Sequence, residues 1–243
     1  MFNVLCCCRW NATELRSCSV ALSFCCTVEV LDTTQWGLTF EAPIGSDIGQ
    51  IYHAFEFSAF FYMAGENNTR VTLQDGTVNV LQAGQSGMVR VKQVDKLTSD
   101  KPIQVDLITG DIDSAYESRW YSMRPNEAYS NSYVTPVGDS YGKTKVFIYN
   151  PGPAVLTITV QLNNKVYTKL INAKQAAPTD VIPTGSGAWI NGTSKFVALS
   201  LTDSEDYDSD GHGTSGQYYD WGFPLVPRNE LTSQVLIGLG CVR

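Results

Sequence analysis

The chain is predicted to be all-β, built as two consecutive antiparallel β-sandwiches of jelly-roll or immunoglobulin-like type. Three observations predict this. Short apolar or alternating runs recur from His53 to Leu239, most of them closed by Gly, Pro, Asn or Asp. No long stretch repeats its apolar residues at a 3.6-residue spacing, so no long helix is expected. Aromatic residues reach 11%, with many Thr, Val and Gly, a composition suited to a half-buried pleated surface.

The elements follow in order. His53–Met63 is apolar and aromatic. Arg70–Gln74 and Thr77–Leu81 alternate around Asp75-Gly76, a dipeptide that favours a tight hairpin. Met88–Lys92 alternates again. Asp100-Lys101-Pro102 reads as a turn, and Ile103–Thr109 as the strand after it. Glu127–Ser132 is too short for a helix. Lys145–Tyr149 stops at Asn150-Pro151-Gly152-Pro153. Val155–Leu162 and Val166–Ile171 flank Asn163-Asn164, a second hairpin signal. Phe196–Leu201 and Gln234–Leu239 complete the set, and Trp221 is expected in the core at the end of a strand. Gly, Asp and Ser between Val137 and Thr144 set the expected boundary. The first sandwich would span 30–137 and the second 138–243, the latter truncated within a longer protein. Residues 1–29 would be a peripheral Cys-rich segment or an unnatural start.

Composition excludes several functions. The chain has 243 residues, enough for two cores, with 43% hydrophobic and 17% charged residues, the mix of a folded protein. The net charge of −7 is local. Setting aside Asp203, Glu205, Asp206, Asp208, Asp210 and Asp220 leaves 18 acids against 17 bases. No basic cluster points to nucleic acid. No run reaches the roughly 20 apolar residues of a membrane helix. Six of seven cysteines fall within the first 26 residues, in adjacent triples and pairs that do not match zinc spacing. The body carries no disulfide framework. Ser19–Val30 resembles a signal-peptide core, but Glu29 interrupts it and no small-x-small cleavage site follows.

Several stretches resemble one family. "LTSDKPIQVDLITGD" (Leu97–Asp111), "FFYMAGENNTRVTL" (Phe60–Leu73) and "LQAGQS" (Leu81–Ser86) are similar to strands and a turn of the IgG Fc-binding protein N-terminal domain family. "KVFIYNPG" (Lys145–Gly152), "IPTGSGAWI" (Ile182–Ile190), "FVALSLTD" (Phe196–Asp203) and Tyr218–Gly240 resemble β units of related surface proteins. The resemblance covers residues 35 to 240. It implies a secreted, all-β, non-catalytic module of adhesion or surface architecture, with a protein or glycan partner at a cell surface.

The candidate metal site is "DSEDYDSDGHGTSGQYYDWGF" (Asp203–Phe223). Asp206, Asp208, Asp210 and Gly211 form D-x-D-x-D-G, whose alternate carboxylates can converge on one calcium ion. His212 would offer a backbone carbonyl and Thr214 a water-mediated contact, with Asp220 or Asp203 completing the shell. An EF-hand has Glu at the twelfth position. Here that position is Gln217, and the flanking helices are absent. The alternative is a solvated acidic loop. "GHGTS" also matches the core of a subtilase histidine motif, but that chemistry needs a Ser nucleophile and an orienting Asp on an α/β fold. Only 31 residues follow His212, without the nucleophile pattern.

Other candidates are weaker. Trp120, Tyr121, Tyr129 and Tyr133 lie with Arg119 and Arg124 in a loop-rich segment, and such a set suits a sugar or protein ligand. The favoured reading is that Trp120 and Tyr121 plug a sandwich core. Sequons occur at Asn11, Asn67 and Asn191, of which Asn67 and Asn191 sit at expected turns and would carry glycans in a secreted glycoprotein. Glu117 and Asp113 could hydrolyse glycosides only if they faced each other across a cleft. No catalytic motif supports that.

Overall fold

A computed structural model describes residues 36–44, 58–111, 116–135, 143–203 and 221–231. The described chain is β throughout, as expected, in two curled antiparallel sheets of seven strands each. The first holds β1 (Gly37–Glu41), β2 (Ser58–Ala64), β3 (Thr69–Thr72), β4 (Val78–Leu81), β5 (Ser86–Val91), β6 (Lys96–Asp111) and β7 (Tyr116–Met123). The second holds β8 (Ser130–Thr135), β9 (Lys143–Tyr149), β10 (Leu156–Leu162), β11 (Lys165–Ile171), β12 (Ala176–Pro178), β13 (Ala188–Asp203) and β14 (Trp221–Pro224). The expected strand at Gln234–Leu239 lies outside the described residues.

Both hairpins form at the expected places. Thr72 pairs with Val78 around Asp75-Gly76, where Gly76 adopts φ +85° and Asp75 accepts the Thr77 N–H. Leu162 pairs with Lys165 around Asn163, at φ +52°. Asp100-Lys101-Pro102 is not a turn between strands. It is a bulge inside β6, where Leu38 alone stands opposite Ser99–Pro102. Proline has no N–H to donate, and a bulge needs none there. Glu127–Ser132 divides into a 3-10 turn (Asn126–Ala128) and the start of β8.

The bulge explains the curl. Before it, β6 pairs with β3 and most of β1; after it, with Gly37 of β1 and with β2 and β7. The strand thus passes from one half of the sandwich to the other. Phe40, Val71 and Leu97 from one half meet Phe60, Tyr62, Val105 and Leu107 from the other in one core.

The second sheet repeats the first, strand for strand. β13 also has 16 residues and a bulge, with Asn131 alone opposite Gly192–Lys195. Before the bulge it pairs with β8 and β10; after it, with β9 and β14. β8 takes the place of β1, β9 of β2, and so on to β14 for β7. Gly37 opposite Ile103 corresponds to Ser130 opposite Phe196. The turns match too. Gly84 N–H bonds to Ala64 O and Ala64 N–H to Gln85 O. Lys174 N–H bonds to Asn150 O and Asn150 N–H to Gln175 O. Pro125 opens the 3-10 turn after the first unit, and Pro227 opens Arg228–Glu230 after the second. The chain therefore contains one seven-stranded unit twice.

The units share a core. On β13 after its bulge, Phe196 and Ala198 face the core of the second unit, whereas Val197 and Leu199 join that of the first. Tyr149 on β9 joins the first core as well. The outer face of the second unit is thus buried against the first. That is why "FVALSL" is apolar on both faces apart from the buried Ser200, while the equivalent "IQVDLI" of β6 alternates with polar Gln104 and Asp106.

Candidate functional site

Polar and aromatic side chains come together at several places among the described residues, two of which hold the candidate residues. One is the junction between the units. The other is the outer face of the first unit, equivalent to the face that the second unit buries.

At the junction, Glu41 ends β1 and is only 2% exposed. Its carboxylate receives the Lys174 ammonium at 2.8 and 2.9 Å and a short hydrogen bond from the Tyr149 hydroxyl. Lys96 stands 3.7 Å away. Glu41 belongs to the first unit, Lys174 and Tyr149 to the second, so the cluster clamps one unit to the other. Lys174 holds φ +59°, where the equivalent turn of the first unit has Gly84 at +82°. A left-handed lysine is strained. The amine bonding that it allows, including a 2.7 Å contact with Pro151 O, offsets the strain. Burial, and then the neighbouring Glu41 charge, hold the Tyr129 and Tyr149 phenols well above their ordinary range. A second ion pair, Arg124 to Glu230 at 2.6 Å, ties the segments that follow each unit.

Gly222 on β14 completes the junction. A Cβ there would lie 2.5 Å from the Tyr121 hydroxyl oxygen and 2.6 Å from its ring carbons. Tyr121 is fully buried, so it cannot step aside. The close approach of β14 to β7 requires glycine.

Of the aromatic candidates, Tyr121, Tyr129 and Tyr133 are interior. Tyr129 donates to Asn126 Oδ1 at 2.8 Å. Tyr133 donates to Phe196 O at 2.8 Å, and burial raises its phenol to about 12. Their rings belong to the cores. Trp120 is half-buried on the outer face, stacked with Phe61 at 5.7 Å between centroids and 30° between planes. Phe61 stands opposite Asp106, and Asp106 opposite Ser122. Asp106 is raised above the ordinary carboxylate range by burial, against hydrogen bonds from Ser122 and Gln104 that pull it down. A raised carboxylate binds its proton more tightly when folded, so its contribution to stability is lost as pH rises through the folded pKa. Asp106→Asn is accordingly expected to raise the melting temperature at pH 7 and to leave it unchanged near pH 3. Equal melting temperatures at pH 7 would contradict that reading.

Asn67 lies exposed in the turn before β3, its Oδ1 accepting the Ala83 N–H at 3.1 Å. Asn191 is half-buried on β13, and its Oδ1 accepts from Ser132 Oγ at 2.8 Å. Asp206, Asp208, Asp210, His212, Thr214 and Asp220 lie outside the described residues. Their segment connects β13 to β14, whose ends pair at Thr202 and Trp221. Among the described residues no group of three His, Cys, Asp or Glu could hold a metal. No described helix is long and apolar enough to cross a membrane.

Sequence reasoning missed Glu41, Tyr149 and Lys174. They are 108 and 133 positions apart, and no local pattern links them. A family model described as IgGFc binding protein matches residues 25–211, a span that takes in strands of both units. No curated protein and no solved structure matches the chain.

Proposed function

Because the chain belongs to the IgGFc-binding protein family, we propose that it is a non-catalytic extracellular module of structure and adhesion in a surface protein. The family is one of extracellular β-rich binding proteins, which supports both the location and the absence of turnover. The observation that carries the structural role is the shared core with its buried Glu41–Lys174–Tyr149 clamp. It makes two units one stiff body rather than beads on a linker. A cavity between the units, lined by Met123, Arg124, Tyr129, Leu199 and Leu225, holds about 10 Å³, room for a water and not for a substrate. Stretching the chain between its ends should unfold both units in one event. Two separate events at different forces would defeat the structural role.

The acidic stretch from Asp206 to Asp220 is proposed as a calcium loop that fastens the β13–β14 connection. Calcium at 100 times its dissociation constant stabilises by about 2.7 kcal/mol. Calcium should therefore raise the melting temperature, and Asp206→Ala with Asp208→Ala should remove the rise. An unchanged melting temperature in calcium and in chelator would leave a solvated loop.

A second reading, carbohydrate binding, is favoured by the Phe61–Trp120 pair beside Asp106, Gln104 and Ser122 on the outer face. Aromatic faces flanked by hydrogen-bonding groups suit sugar rings. Selective retention on a glycan array that Trp120→Ala abolishes would establish this reading over the first.

A further inference from the structure

The duplication makes each unit a control for the other, and their ends differ. Tyr129 follows the first 3-10 turn and is 5% exposed, because Val197 and Leu199 of the second unit share its core. Its equivalent after the second turn, Leu231, is 54% exposed. Arg124, 7% exposed, has Val226 as its equivalent, 37% exposed. The first pair is covered by the outer face of a following unit. The second pair is apolar and exposed among the described residues.

We infer that this end of the second unit, at Val226 and Leu231, is an interaction surface for the outer face of a further seven-stranded unit of the same kind. The existing junction specifies the occupant. Phe223 stands where the first unit has Tyr121, so the occupant needs glycine at the position of Gly222. It needs apolar residues at the positions of Val197 and Leu199, which do the covering in the existing junction. Val134 replaces Glu41, so the occupant needs no cation at the position of Lys174, whose ammonium, 39% exposed in the existing junction, would have no carboxylate to meet there. A second copy of this chain does not fit. The outer face of its first unit has Trp120 in place of Gly222 and Asp106 in place of Leu199, which would press an indole and a carboxylate into the surface.

The inference stands apart from the adhesion reading and is tested without it. The probe is the full chain extended by a third unit: residues 1–231 followed by a second copy of 130–243 carrying Lys174→Val. A companion keeps Lys174 in the added unit and introduces Val134→Glu in the middle one. Hydrogen exchange at Leu225, Glu230 and Leu231 is compared with the two-unit chain. Their amides are bonded to Ala198, Pro227 and Arg228, so exchange reports opening of this end. The expected result is slowing of at least about tenfold in either extended chain, reversed by Leu231→Glu, which leaves the two-unit chain unaffected. Unchanged exchange in both extended chains would overturn the inference. So would concentration-dependent self-association of the two-unit chain that protects the same amides, because the occupant would then be a second copy.

Discussion

Glu41→Ala is expected to lower stability by about 1–3 kcal/mol, less than the loss of a fully buried ion pair, because the lysines left behind, Lys174 and Lys96, are 39% and 54% exposed. The substitution leaves the buried Tyr149 hydroxyl without its acceptor and the Lys174 ammonium beside an apolar cavity. An unpaired buried hydroxyl alone costs about 1–3 kcal/mol. For a chain of this length the melting temperature should fall by about 5 °C. Lys174→Gly tests the same clamp from the other side. It removes the amine but relieves the φ +59° backbone, and Lys174 is 39% exposed, so the net loss should be smaller. Calorimetry on the three proteins decides the matter. A loss below about 1 kcal/mol for Glu41→Ala would place the clamp among ordinary surface pairs.

Gly222→Trp should separate the units. It installs on β14 the residue that β7 carries at the equivalent place, Trp120. Even a methyl group would press on the buried Tyr121 ring at 2.5–2.6 Å, and overpacking a rigid core costs about 1–3 kcal/mol. An indole has no room at all. The β14–β7 contact must open, exposing Val197, Leu199 and Tyr149 to water. The expected loss is about 3 kcal/mol or more, with one unfolding transition replaced by two. Gly222→Ala should fall between this variant and the parent. Trp120→Gly is the reciprocal control. Trp120 faces outward, so the single transition should survive. A single unshifted transition for Gly222→Trp would show that the junction tolerates what its geometry forbids.

Much of the fold was legible because local rules and the tertiary structure agree. Asp75-Gly76 and Asn163-Asn164 each put a residue at positive φ where a tight hairpin needs one. The first-unit run Ile103–Asp106 alternates because Ile103 and Val105 enter the core while Gln104 and Asp106 are half-buried on the outer face. β7 was illegible because its inward residues are Arg119, Tyr121 and Met123, and an inward arginine inverts the expected pattern. The bulge at Ser99–Pro102 read as a turn because proline excludes a regular ladder wherever it occurs. Of the candidate residues, Trp120 lies on a half-exposed face. Tyr121, Tyr129 and Tyr133 lie inside, since an aromatic residue next to Arg and Ser gives no local sign of which side is buried.

The sequence by itself determined the β class, the two hairpins and the family. Each of these depends on residues close together in the chain, through turn geometry, alternation or short motifs. Only the tertiary structure decided that the two sheets are one unit repeated, that the second buries its outer face on the first, and that Glu41, Tyr149 and Lys174 meet. The repeat survives in pairing and turn positions rather than in residue identity, because a strand's role is set by which face is buried. Even that left one trace: "FVALSL", apolar on both faces, is a strand between two cores, and "IQVDLI" is the same strand with one.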